Sequence, residues 1–180
     1  MAYFADLSDY IYVPRFARTG CVNVGWLART GPFSTEAPSE SLLDALWAFC
    51  SIAVVPTRGI HECGLCDPAR LVVSTRVGRT LLLGTSEIRV FGTGDRTFAA
   101  PSLIYHYVEA HHYCPPAEFV HAATEGLTPP RPDYLQRLGS IGLDWAEASD
   151  VDPELKLIRF TALGRLECCS RAGGRHPALD

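Results

Sequence analysis

Between residues 58 and 68 the chain runs Arg-Gly-Ile-His-Glu-Cys-Gly-Leu-Cys-Asp-Pro, and the two cysteines within it constrain the fold more than any other feature. Cys63 and Cys66 are separated by two residues, a spacing that lets both sulfurs reach one ion while the intervening backbone makes a tight knuckle. Gly64 inside the pair is expected to relieve the steric cost of that turn. His61 lies two residues before the knuckle, and His106, His111 and His112 crowd a later segment. His106 and His111 have four residues between them, inside the three-to-five spacing of zinc-binding histidines at a helix end.

That pattern carries a geometric demand. Positions five apart on an ideal helix diverge by about 140° and do not share a face. The second histidine must therefore sit at or just past the end of the helix, where Cys114-Pro115-Pro116 stops it. Between Cys66 and His106 lie 39 residues, far more than in a small zinc finger, so the intervening chain must return to its start. A tetrahedral Zn2+ site of Cys63, Cys66, His106 and His111 is chemically coherent on these terms, and it would clip a loop to a helix. The alternative is that the cysteines are ordinary buried thiols, which cores commonly contain. A redox role lacks the strand-to-helix setting of thioredoxin-like Cys-x-x-Cys pairs.

The chain around these residues reads as α+β. Tyr10 to Val13 and Cys21 to Leu27 are β-prone, with a turn at Arg18-Thr19-Gly20. Ser39 is an N-cap for a helix over about residues 40–50, in which Leu42, Leu43, Leu46, Trp47 and Cys50 recur at helical spacing. Ile52 to Val55 is a short apolar segment. Leu71 to Arg76, Thr80 to Leu83, Glu87 to Phe91 and Thr97-Phe98 then form a predicted antiparallel β-meander broken by glycine turns. Pro101 suits the first turn of a helix running to about His111, and a further short helix follows Pro115-Pro116 to about Ala123. Three prolines within residues 126–132 predict a linker, dividing a zinc-binding domain, residues 1–126, from a C-terminal extension, residues 127–180. That extension is expected to hold a short helix near Asp133 to Leu138, a strand near Leu155 to Phe160 and a loose tail from Ser170.

The runs Val22-Asn-Val-Gly-Trp-Leu27, Arg58 to Cys66, Ser86-Glu-Ile-Arg-Val90, Ala99 to Val108 and Tyr113-Cys-Pro-Pro116 resemble a family of small bacterial proteins without assigned function. The resemblance covers about residues 20–123, and its most distinctive part is Arg-Gly-x-His-x-Cys-x-x-Cys. It implies that His61, Cys63, Cys66, His106 and His111 are the family-type positions, and it disfavours His112. It implies no activity.

Two functions fit this pattern. A closed Cys2His2 site makes a binding or regulatory module riveted by metal, with a protein or small-molecule partner of unknown identity. An open site makes a small hydrolase-like enzyme, in which His61, Glu62 or Glu87 would move protons beside metal-bound water. Glu87 has a plainer reading as the ion-pair partner of Arg89, since alternate strand residues share a face. The order of residues does not match zinc deaminases, where His-x-Glu precedes Pro-Cys-x-x-Cys.

Composition bounds the partners. The chain has 180 residues, 47% hydrophobic and 20% charged, which suits one globular unit. Net charge is −4 with no cluster of Lys or Arg, which argues against direct nucleic-acid binding. No apolar run approaches the ~18 residues of a membrane span. Seven cysteines, an odd number, without a signal-peptide pattern point to thiols or metal ligands in a reducing cytoplasm.

Overall fold

The computed structural model describes residues 2–151, together with the backbone of residues 159–160 and 166–167. Within residues 2–151, seven short strands and four helices form an α+β fold around one five-stranded sheet. The strands are β1 (Cys21–Asn23), β2 (Ile52–Val54), β3 (Val73–Arg76), β4 (Arg79–Leu82), β5 (Glu87–Phe91), β6 (Thr97–Pro101) and β7 (Trp145–Glu147). The helices are α1 (Glu40–Cys50), α2 (Ile104–His111), α3 (Ala117–Glu125) and α4 (Pro132–Ser140). The main sheet has the order β1-β6-β5-β2-β7, antiparallel except for the parallel β1–β6 pair. The four segments of the expected meander pair as two hairpins in separate sheets, β3–β4 and β5–β6.

Helix α1 forms where Ser39 caps it: the Ser39 hydroxyl accepts the Leu42 N–H at 3.2 Å, satisfying a donor that the first turn leaves open. Its buried residues are Leu42, Leu43, Leu46, Trp47, Phe49 and Cys50, the stripe that the three-and-four spacing predicts. Helix α2 starts later than expected. Pro101 is the last residue of β6, opposite Glu87, and the helix opens at Ile104. A proline is tolerated at a strand's end as readily as in a helix's first turn, so the local sequence does not separate the two.

Both faces of the sheet are covered. Val22, Ile88, Val90, Phe98 and Ala100 join the main core with the helices. Cys21 and Ala99 pack on the other face with Tyr10 and Trp26. Tyr10 to Val13 does not form a strand; Pro14–Phe16 is a 3-10 turn, and the link to β1 is an isolated Asp9–Val22 bridge, with the Tyr10 N–H donating to the Cys21 carbonyl at 2.9 Å. What the segment supplies is side chains: Phe4, Tyr10, Tyr12 and Val13 pack against this face, with Trp26 edge-on to Phe4 at 5.6 Å. The second expected strand ends at Asn23, two residues before Gly25 adopts φ +71.

Beneath that cover lies a buried polar group. Arg89 Nη1 donates to Glu87 Oε2 at 2.6 Å, and the Tyr10 hydroxyl donates to the same carboxylate at 2.9 and 3.0 Å. The Arg89 guanidinium also stacks over the Tyr10 ring at 4.8 Å. Glu87 and Arg89 are two apart on β5, so both project to the N-terminal side. Burial pushes the Glu87 carboxyl up, while Arg89 and the Tyr10 hydroxyl oppose the rise.

The proline-rich stretch after Gly126 turns the chain without detaching α4 and β7 from the core. Tyr134 and Leu138 of α4 are fully buried, and β7 completes the sheet edge against β2. Tyr134 packs on Phe49 and Phe91, with ring centroids 5.5 and 5.6 Å away, and its hydroxyl donates to the Arg89 carbonyl at 2.9 Å. Residues up to 151 therefore share the core of the preceding chain. Of the expected strand near Leu155 to Phe160, Arg159–Phe160 is described and pairs antiparallel with Leu166–Glu167. The expected tail from Ser170 lies outside the described residues. Among the described residues no helix is long and apolar enough to cross a membrane.

Tyr134→Ala should lower unfolding stability by about 3–5 kcal/mol in urea titrations, as for other large aromatic truncations. Tyr134→Phe, which loses only the hydrogen bond to Arg89, should lose about 1 kcal/mol.

Candidate metal centre

Four side chains from two distant parts of the chain meet at one point. The ligand atoms of Cys63, Cys66, His106 and His111 all lie within 4.8 Å of one another. Cys66 Sγ is 3.3 Å from His106 Nε2 and 3.5 Å from His111 Nε2, and Cys63 Sγ is 3.4 Å from His111 Nε2. Cys63, Cys66 and His106 are buried, and His111 is half-buried.

The knuckle is shaped by its own backbone. Cys63 donates its N–H to the Arg70 carbonyl at 2.8 Å, closing the loop behind Cys66. Burial pushes the Cys63 thiol up, the backbone N–H groups of Cys66 and Leu65 act the other way, and the adjacent Cys66 side chain adds to the rise. Gly64 departs from expectation: it does not occupy the left-handed region, and a Cβ there would meet open space. The glycine with a steric role is Gly84, at φ +81, where a Cβ would collide with the His61 carbonyl. The His61 N–H donates to the Gly84 carbonyl at 2.9 Å, so the loop lies directly on the turn before β5.

The histidines come from opposite ends of the two-turn helix α2, His106 from its first turn and His111 from its last. His111 is its final helical residue, and His112 caps it in the left-handed region at φ 54, exposed to solvent. The two rings stand nearly perpendicular, at 86°, with centroids 5.0 Å apart. They leave the helix in different directions and converge through their Nε2 tips. Burial, then His111 and Arg70, pushes His106 down to about 4. Burial and Arg70 lower His111 as well. Both imidazoles are thus held neutral near pH 7, the form that binds a metal.

This donor set fits a tetrahedral cation. Bonds of about 2.3 Å to sulfur and 2.0–2.1 Å to nitrogen imply S···N edges of about 3.6 Å. The three observed edges are 3.3, 3.4 and 3.5 Å. A neutral thiol has one proton to donate, whereas Cys66 Sγ lies within reach of two ring nitrogens. One central cation would engage all four donors at once.

The residues weighed as proton carriers lie outside this group. Glu62 is exposed, and His61 is half-buried, its pKa lowered by burial. Glu87 is committed to Arg89 and Tyr10 on the N-terminal side of the sheet. Arg29 and Arg70 are neighbours that the sequence did not single out, and Tyr107 is a further one. Tyr107 lies beside both imidazoles, with centroids 6.5 and 6.3 Å away, and burial followed by Cys63 and Cys66 raises its pKa. Arg29 donates to two knuckle carbonyls across more than thirty residues of sequence, a contact that no local pattern announces.

Residues 2–124 match the family model described as a domain of unknown function, DUF7919. The chain belongs to that family. The match takes in the N-terminal cover, the knuckle, α2 and nearly all of α3, and it ends before α4. It extends the expected resemblance to residues 2–19, and all four clustered side chains of this DUF7919 member fall inside it. No curated protein and no solved structure matches the chain.

Glu87→Gln should lose about 3–5 kcal/mol of stability, because it leaves Arg89 charged and buried without its counter-ion. It should leave bound metal per folded chain unchanged, as read by elemental analysis of the folded fraction.

Proposed function

We propose that this DUF7919 member is an intracellular zinc-binding module whose ion acts as a structural rivet between the residue 58–68 loop and the end of α2. The observation that carries the reading is the four-way convergence of Cys63, Cys66, His106 and His111 within 4.8 Å. Two thiols and two imidazoles are the donor set that zinc takes in closed structural sites, and soft sulfur disfavours magnesium and calcium. Zinc would hold both sulfurs as thiolates and replace a set of weak S···N contacts with four strong bonds.

A catalytic zinc keeps one position for water, and four protein donors leave none. The module is accordingly assigned a binding or regulatory role, with a protein or small-molecule partner. The rivet joins the knuckle loop, mostly exposed between Arg58 and Arg70, to helix α2, whose first five residues are buried in the core.

Untagged protein purified without chelator should hold one zinc per chain, and Cys63→Ser or His106→Ala should lose it. Stripping the metal should lower the thermal midpoint, since binding free energy at such a site contributes to folding. The cobalt-substituted protein should show a tetrahedral spectrum indifferent to small anions. A metal-free wild type that takes up no zinc, or an anion-sensitive cobalt spectrum, would overturn the closed-site reading.

A further inference from the structure

Residues 29–36, in the connection between β1 and α1, touch both halves of the metal centre. At one end, Arg29 Nε donates to the Gly64 carbonyl at 3.1 Å, and Arg29 Nη2 donates to the Cys66 carbonyl at 2.7 Å. One planar guanidinium thus fixes two carbonyls of the knuckle. The same group stands 3.8 Å from Asp67, but both partners are largely exposed and that pair adds little.

At the other end, the segment pairs with the residues just after His111. The Cys114 N–H donates to the Ser34 carbonyl at 2.8 Å, and the Glu36 N–H donates to the His112 carbonyl at 2.8 Å. Thr35 and Tyr113 form an antiparallel bridge between them. Phe33 adds an edge-on contact with Tyr113 at 6.1 Å. Otherwise the segment, Arg-Thr-Gly-Pro-Phe-Ser-Thr-Glu, is polar or turn-forming, and no residue in it is buried.

We propose that residues 29–36 form a strap across the metal centre, in which Arg29 is a positioning residue for the Cys63–Cys66 knuckle, and that metal loading and strap order are coupled. The inference rests on the metal-binding reading of the four-residue cluster. Its physical basis is that the strap has little apolar burial of its own, so its order depends on the two anchors keeping a fixed separation. An ion bonded to the knuckle and to α2 sets that separation. By reciprocity, a strap that holds the anchors together slows loss of the ion. The strap leads directly into Ser39 and α1, so occupancy of the site is felt on an exposed surface distant in sequence from its ligands.

The test compares wild type, Arg29→Met, Arg29→Lys and Phe33→Ala, each loaded with zinc. Release to a chromogenic chelator should be roughly tenfold faster in Arg29→Met, the scale of losing a hydrogen-bonding group that supports metal ligands. Arg29→Lys should recover only part of this, because an ammonium lacks the rigid fork that spans two carbonyls. Phe33→Ala loosens the opposite anchor without touching the knuckle and should also speed release. The thiolate-to-cobalt band of cobalt-loaded Arg29→Met should shift from wild type. In hydrogen exchange, amides of residues 29–36 in wild type should exchange faster once the metal is removed. If wild type binds no zinc, the metal reading falls and takes this inference with it. If wild type holds zinc, but Arg29→Met releases it at the wild-type rate and chelation leaves exchange in residues 29–36 unchanged, the strap proposal alone is overturned.

Discussion

The meeting of two sulfurs and two imidazoles is the constraint around which the loop, the end of α2 and the β1–α1 connection are arranged. The loop contains few apolar residues, so burial of its backbone cannot hold it in place. Its position is defined by Cys63 and Cys66 turning inward, by Arg70 closing the turn behind them, and by His61 lying flat on Gly84. Helix α2 contributes by ending where it does. Had it continued past His111, the residues after it could not have doubled back to pair with residues 34–36.

The sheet solves a different problem. Its central strands, β5 and β6, are five residues long and buried on both faces, a situation that calls for near-continuous apolar sequence. Glu87 and Arg89 break that rule on β5, and the chain accommodates them by pairing them with each other and with Tyr10. Ionic groups at such depth stabilise little on balance, but losing one partner is costly. Glu87 is accordingly engaged within the sheet by Arg89 and Tyr10. The same N-terminal segment that supplies Tyr10 also supplies Asp6, which accepts from Gly25 N–H and the Tyr113 hydroxyl at 2.9 and 2.7 Å. The cover of the sheet is thereby tied to the chain just beyond His111.

Features governed by neighbours in sequence were legible. Ser39 and the apolar stripe behind it define α1 to the residue, because capping and helical periodicity are local. The convergence of Cys63, Cys66, His106 and His111 was also legible, since metal chemistry restricts donor types and spacings so tightly that a long gap does not hide the pattern. Pro101 was misleading because a strand end and a helix start accept proline equally well. Tyr10 to Val13 has β propensity, but Pro14 follows at once and its aromatic rings are used as a lid.

The sequence alone determined the α+β class, the stripe of α1 and the four donors, each through rules that act over a few residues or through the coordination habits of a cation. Tertiary structure alone decided that β1 runs parallel to β6, that Glu87 turns toward Tyr10, that α4 returns to the core, and that Arg29 reaches the knuckle. Those outcomes depend on which distant surfaces become neighbours when apolar area is removed from water. That choice is made by the whole chain at once, and no window of residues contains it.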